Sequence, residues 1–247
     1  GSSTLSKLAI GTAGYALRVP SSGTAPYWDA LCSDIKVVFE EYSDLIGGTS
    51  RNGFDSYVSV GGTVATQDGT AGHPGQIRIT TSTSTATSNG FLKSGGPSVG
   101  VRDIVVGGGE LVFESSINIG VLWGGGNTGQ YRAGFMDEIS GAPTYGVHMQ
   151  YDDTSANWKL FARNSTSTSV TGGTAVTTGW HFIRIVIDST GSSAELFVDG
   201  VSQGTVSTNM PGTGFTYGAQ VQKSAGTTAA IMDVDAIKVR QIFTTPR

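Results

Sequence analysis

Along most of this chain, apolar and polar residues alternate with a period of two, the spacing of a half-buried strand, and helical periodicity is nearly absent. Residues 180–206 show it best. His181, Ile183, Ile185 and Ile187 alternate with Phe182, Arg184, Val186 and Asp188, and a Ser-Thr-Gly-Ser-Ser turn leads into Ala194–Val198. Asp199-Gly200 then predicts a two-residue type I′ hairpin turn, in which both positions need positive φ, with Val201–Val206 as the partner strand. Glu110–Ile119 places Leu111, Phe113, Ser115 and Ile117 on one face. Further strands are predicted at Ile35–Tyr42, Tyr57–Val64, Gln76–Thr81, Tyr131–Met136, Tyr145–Tyr151, Trp158–Arg163 and Tyr217–Gln222. In the last, Ala230–Ile242, Met232, Val234, Ala236 and Lys238 alternate with Asp233, Asp235, Ile237 and Val239. Trp28–Cys32 has the pattern of one helical turn. Thr81–Asn89 is almost all Ser and Thr and reads equally as strand or loop. About twelve to fourteen short strands, with turn signals every ~8–12 residues, predict an all-β sandwich or barrel.

The first thirty-odd residues break this pattern. Leu8, Ile10, Leu17, Val19 and Trp28 are too sparse to close a core, and Gly11, Gly14 and Gly23 interrupt them. The expectation is a connecting or oligomerisation arm over 1–34, burying its apolar side chains against other copies, followed by one continuous domain over 35–247. Gly1-Ser2-Ser3 reads as an expression scar, which implies a piece of a longer protein.

Composition narrows the classes. Glycine makes up 37 of 247 residues, about twice the usual share, yet there are only 7 prolines, so the excess serves turns. Charged residues are 14% and the net charge is −4, with no Lys/Arg run, which argues against nucleic acid as a partner. The single Cys32 excludes an intrachain disulfide. No apolar run is long enough to span a bilayer, and no signal-peptide pattern opens the chain.

Two resemblances add to this reading. Leu8–Trp28, with its Gly-Thr-x-Gly and Thr-x-Pro-x-Trp halves in order, resembles a short element of tailed-bacteriophage fibre and head-fibre proteins. Trp180–Ile185, then Phe197-Val198-Asp199-Gly200, then Met232–Val239, are similar to the C-terminal half of concanavalin A-like lectin/glucanase jelly rolls. Together they imply a concanavalin A-like antiparallel β-sandwich carried on a virion, exposed outside the host cell, in a homo-oligomer of three. Its partners would be host-surface glycan and other virion proteins. The resemblance to concanavalin A-like families also implies a structural Ca²⁺ on Asp235, with Asp233 as the alternate, since hard oxygen ligands suit that ion.

Candidate chemistry is thin. The glucanase Glu-x-Asp-x-x-Glu signature is absent. Glu110 and Glu114 share a strand face but read as solvated carboxylates, and the adjacent pairs Asp137-Glu138 and Asp152-Asp153 read as turns. His148 in Val-His-Met-Gln-Tyr has polar neighbours, but the other segments of a jelly-roll alginate lyase (Gln-x-His, an Arg, a Lys/Tyr pair) are not matched. His73 reads as a loop residue and His181 as a core-strand residue, so three scattered histidines make no zinc site. No Gly-x-Ser-x-Gly elbow or phosphate loop occurs. The expectation is therefore no enzyme, and binding is what is left. Sugars are held by aromatic faces and planar polar groups. Trp123 in its Gly-rich loop, Asn127, Tyr131, Arg132, Tyr151, Asp153 and Trp158 supply both at strand ends, although Trp158 reads equally as core. Three rivals stand beside a glycan-binding virion head: a purely structural capsid decoration, a depolymerase with an unfamiliar active site, and a secreted lectin-like module.

Overall fold

Two antiparallel sheets face each other across one core. A computed structural model describes residues 15–18, 27–30, 38–44, 53–59, 61–83, 86–93, 104, 106–212 and 215–243. Among them are seventeen strands. The seven-stranded sheet runs β12 (Thr166–Ala175), β11 (Ser155–Asn164), β10 (Tyr145–Asp152), β9 (Thr128–Met136), β16 (Thr216–Ala225), β7 (Thr87–Lys93) and β4 (Phe54–Val58). The second sheet runs β15 (Val201–Val206), β14 (Ala194–Val198), β13 (Gly179–Ile187), β8 (Gly109–Ile119), β17 (Ile231–Phe243), β6 (Gln76–Thr80) and β5 (Thr63–Gln67). Its eighth strand, β3 (Val38–Asp44), pairs with β17. The order of these crossing connections is that of a jelly-roll β-sandwich, as the alternation predicts.

Period-two burial builds the core. Ile77, Ile79, Phe113, Ile117, Ile183, Ile185 and Val234 face inward from one sheet, and Phe91, Tyr131, Phe135, Met149, Leu160 and Val221 from the other. Phe135 sits at the centre, 5.7 Å from Phe113 and 5.4 Å from Phe215 by ring centroids. The Asp199-Gly200 turn has the predicted geometry, with φ of 51° and 80°. Asp199 adds two clasps, its carboxylate accepting from the Phe182 amide (2.8 Å) and lying 2.8 Å from His181 Nδ1. Gly200→Ala should cost about 1 kcal/mol through the left-handed backbone alone, since a Cβ there meets nothing within 4 Å. A urea midpoint unchanged from wild type would contradict that.

Several expectations need correction. Residues 27–30 form β2, paired antiparallel with β1 (Tyr15–Arg18), and not part of a helical turn. That pair is a two-stranded sheet of its own; most of the 1–34 arm lies outside the described residues. The predicted strand 57–64 is two strands, β4 and β5, with a turn at Gly61-Gly62 between them. The hydroxyl-rich stretch resolves into both readings, a loop and then β7 from Thr87. In β17 the alternation changes phase. The register jumps from Val234 opposite Ile117 to Ile237 opposite Ser115, so one extra residue bulges out. Met232, Val234, Ile237 and Val239 therefore all face inward, where strict alternation would send the last two outward.

Candidate functional site

At one end of the sandwich, the β8–β9 loop, the β10–β11 hairpin and the exit of β12 enclose a cavity of about 300 Å³. Leu122, Trp123, Tyr151, Asp152, Asp153, Ser155, Ala156 and Val176 line it. The β8–β9 loop can turn tightly because Gly125 and Gly126 adopt φ of 59° and 88°, a region side chains other than glycine's rarely enter. The Gly124 amide donates to the Asn127 carbonyl (3.1 Å), and the Asn127 amide returns the bond (3.0 Å). This presents Leu122, 38% exposed, at the rim.

Behind the rim the aromatic residues form a stack. Tyr131 and Tyr151 lie directly opposite on β9 and β10, their rings parallel at 5.9 Å, and Trp123 tilts against Tyr131 at 4.9 Å. The Trp123 amide donates to the Tyr151 hydroxyl (3.0 Å), and the Tyr131 hydroxyl donates to the Val121 carbonyl (2.6 Å). Burial pushes the Tyr131 phenol well above its usual pKa. Asp153 is exposed, and one of its oxygens accepts from the Gly129 amide at 3.2 Å. Asp152 points to the other face of the sheet. Its burial alone would raise its pKa, but bonds from Lys159, Thr154 and Gln150 outweigh that and hold it below the ordinary carboxylate value.

Of the residues expected to contact sugar, the structure brings Trp123, Tyr151 and Asp153 to this cavity. Tyr131 is fully buried behind it, as support for the other rings. Asn127 is a clasp between loops: its side chain donates to Thr228 Oγ1 (3.3 Å) and accepts from the Thr228 amide (2.9 Å). Trp158 is in the core at 0% exposure, in edge contact with His181 at 5.1 Å, and is no surface platform. Arg132 is 1% exposed and lies on the outer face of the seven-stranded sheet.

That outer face is the feature sequence reading missed. Arg132 Nε donates to Gln150 Oε1 (2.8 Å), Nη1 to Gln220 Oε1 (2.5 Å) and Gln222 Oε1 (3.0 Å), and Nη2 to Gln130 Oε1. The guanidinium is thus ringed by four neutral amides. Burial, and then the nearby positive charge of Arg163, push its pKa down to about 9 against the pull of Asp152. His148 lies on the same face, fully buried, its ring parallel to Phe161 at 5.8 Å. The signal was present as Gln-x-Arg, His-x-Gln-x-Asp and Gln-x-Gln on β9, β10 and β16, where polar residues alternate with core residues.

The two expected calcium ligands each meet a side-chain partner. Asp233 is held by the fork of Arg78 (2.6 and 3.0 Å), with Asn118 Nδ2 donating at 3.0 Å, so both oxygens are engaged by positive or donor groups. Asp235 Oδ2 lies 2.9 Å from His73 Nδ1, and the His73 ring lies flat on Trp180 at 3.7 Å. Among the described residues no three His, Cys, Asp or Glu side chains cluster as a metal site. No helix among them is long and apolar enough to cross a membrane.

No protein-family model and no curated protein matches this sequence. Solved structures do share the architecture. A Shewanella oneidensis MR-1 protein of unknown function aligns with a TM-score of 0.62 at 14% identity, over 85% of this chain and 89% of that one. The carbohydrate recognition domain of Emp46p aligns at 0.52 and 10% identity, over 80% and 94%. A carbohydrate esterase of Shiga toxin-encoding bacteriophage phi24B aligns at 0.50 and 11%, over 81% and 99%. The chain is thus a jelly-roll β-sandwich, a fold it shares with a carbohydrate recognition domain and with a carbohydrate esterase. The expectation that the chain is not an enzyme is therefore corrected: a carbohydrate esterase uses the same fold, so lacking a familiar catalytic signature does not set this chain apart from catalysts.

Proposed function

We propose that this chain is a carbohydrate-binding module of a bacteriophage virion appendage, and that it holds host-surface glycan in the cavity between Leu122 and Ser155. One observation carries the reading: Trp123, Tyr151 and Asp153, singled out from the sequence as sugar contacts, line a single cavity. There Leu122 and Trp123 offer apolar surface to the C–H side of a sugar ring, while Asp153 and Ser155 offer polar atoms to its hydroxyls. The fold shared with a carbohydrate recognition domain and with a phage protein supports the class and the setting. The fibre-like wording of residues 8–28 supports assembly in threes, which would multiply weak single-site contacts.

A glycan array probed with the full chain tests this, using Leu122→Asp and the double variant Asp153→Ala/Ser155→Ala as controls. Both changes are at the rim, clear of the aromatic stack, and each should weaken glycan retention at least tenfold with the melting curve unchanged. Retention equal to wild type in both variants removes the cavity from the reading, and no retention of any glycan by wild type removes the reading itself. Following polymer length or ester release from bound glycans in the same samples reads out catalysis directly.

A further inference from the structure

We propose that Arg132, His148 and Arg163 form an anion-binding centre on the outer face of the seven-stranded sheet, beneath the β9–β10 loop, which takes a carboxylate or sulfate group of an acidic saccharide. The anion follows from this face alone; only the choice of a saccharide as its carrier rests on the carbohydrate reading.

Among the described residues, the arginines on this face have no carboxylate within ion-pair distance. Four neutral glutamine oxygens accept from Arg132, and Asp152 acts on it only from farther away. Arg163 lies over the Phe161 ring at 5.3 Å, on the side of the face that also holds His148. Its Nε is buried without a partner, and its Nη1 reaches only the Pro143 carbonyl, at 3.4 Å. His148 is buried too, beside Gln150, with neither ring nitrogen in a close hydrogen bond. The two nearby carboxylates bond other groups: Asp152 bonds Lys159 Nζ (2.6 Å), Gln150 and Thr154, and Asp137, whose charge also favours the Arg163 cation, accepts from the amides of Thr144 and Tyr145. Among the described residues neither arginine is paired with a carboxylate.

Unpaired buried donors beside two arginines are costly, and an anion supplies both acceptors and a closer countercharge. Two arginines so placed favour an acidic ligand over its neutral counterpart. The loop above is bonded to this face and across its own base. Gln220 Nε2 donates to the Ile139 and Gly141 carbonyls (2.8 and 2.6 Å), and Ser88 Oγ donates to Ile139 (2.7 Å). An entering carboxylate would replace the long Arg163–Pro143 contact with a charge-assisted bond.

Isothermal titration of the intact protein settles the matter. The probes are uronate, sialate and sulfated oligosaccharides, each beside its neutral counterpart (the methyl ester or the desulfated sugar), with inorganic sulfate as a separate arm. At least one acidic sugar should bind tenfold or more tightly than its neutral partner. Arg163→Gln should abolish that preference while leaving the melting curve, and any neutral glycan bound in the Leu122–Ser155 cavity, unchanged. Equal affinity for every acid and its neutral partner overturns the centre, as does a preference that survives in both Arg163→Gln and His148→Gln. Binding of sulfate alone overturns the saccharide assignment. Neutral glycan retained with no acidic preference defeats this inference and spares the cavity reading.

Discussion

Arg132→Ala is expected to lower unfolding free energy by about 3 kcal/mol. The side chain is 1% exposed, so its removal strands Gln150 and Gln220, whose amide oxygens are buried with it. Each unsatisfied buried acceptor costs about 1–3 kcal/mol. Releasing a guanidinium from a desolvated site offsets part of that, while Gln130 and Gln222, only half buried, turn back to water. Arg132→Lys should recover little, because a single ammonium cannot reach four oxygens set around a planar fork. Urea unfolding at pH 7 measures both variants. A loss below about 0.5 kcal/mol for the alanine variant would mean that the four amides rearrange freely, and the network would then not be a fixed element of this face.

Acidification below pH 6.5 should destabilise the protein through His148. Burial first, and then the positive charges of Arg132 and Arg163, hold its pKa well below 6.5, so the native imidazole stays neutral where the unfolded one takes a proton. Its stabilising contribution is complete above about pH 6.5 and is lost as pH falls towards the native value, by up to about 1.4 kcal/mol per unit. The arginines stay charged throughout, and Asp152, held below its usual value, stays ionised until lower pH. Asp137 acts in the opposite sense, since burial raises its pKa and the native state binds its proton first. Denaturant melts at steps from pH 7.5 to 4.5 should show this slope in wild type and a flatter one in His148→Leu. An identical slope in the variant would assign the acid sensitivity elsewhere.

What the sequence disclosed divides by range. Local chemistry was legible: the Asp199-Gly200 turn needs only its two residues, and the isoleucines of β13 declare their face by spacing alone. β12 was not legible, because Thr166–Ala175 is nearly all hydroxyls and glycines and has no apolar alternation to read. Its place comes from pairing with β11. The candidate cavity was half legible. Trp123 stood out by its glycines, but Trp158 has the same neighbourhood of Asn and Lys whether it faces a ligand or the core. The arginine network was least accessible, for Gln150 and Gln220 lie 18 and 88 residues from Arg132 and meet it only when β10 and β16 flank β9. A period-two pattern says which residues share a face, not which strands will be neighbours.

The bulge in β17 shows what the molecule keeps beyond the needs of its interior. Were Ala236 deleted, Ile237 and Val239 would fall into step with Met232 and Val234, and every inward side chain would still point inward. Hydrophobic packing therefore gives no reason for the extra residue. Its effects are on the outside, where Asp235 meets His73 and a hollow of about 200 Å³ opens beside Ser116 and Phe182. A shortened chain that folds as well as the original would show this irregularity to be surplus to folding, a relief cut into an otherwise plain wall.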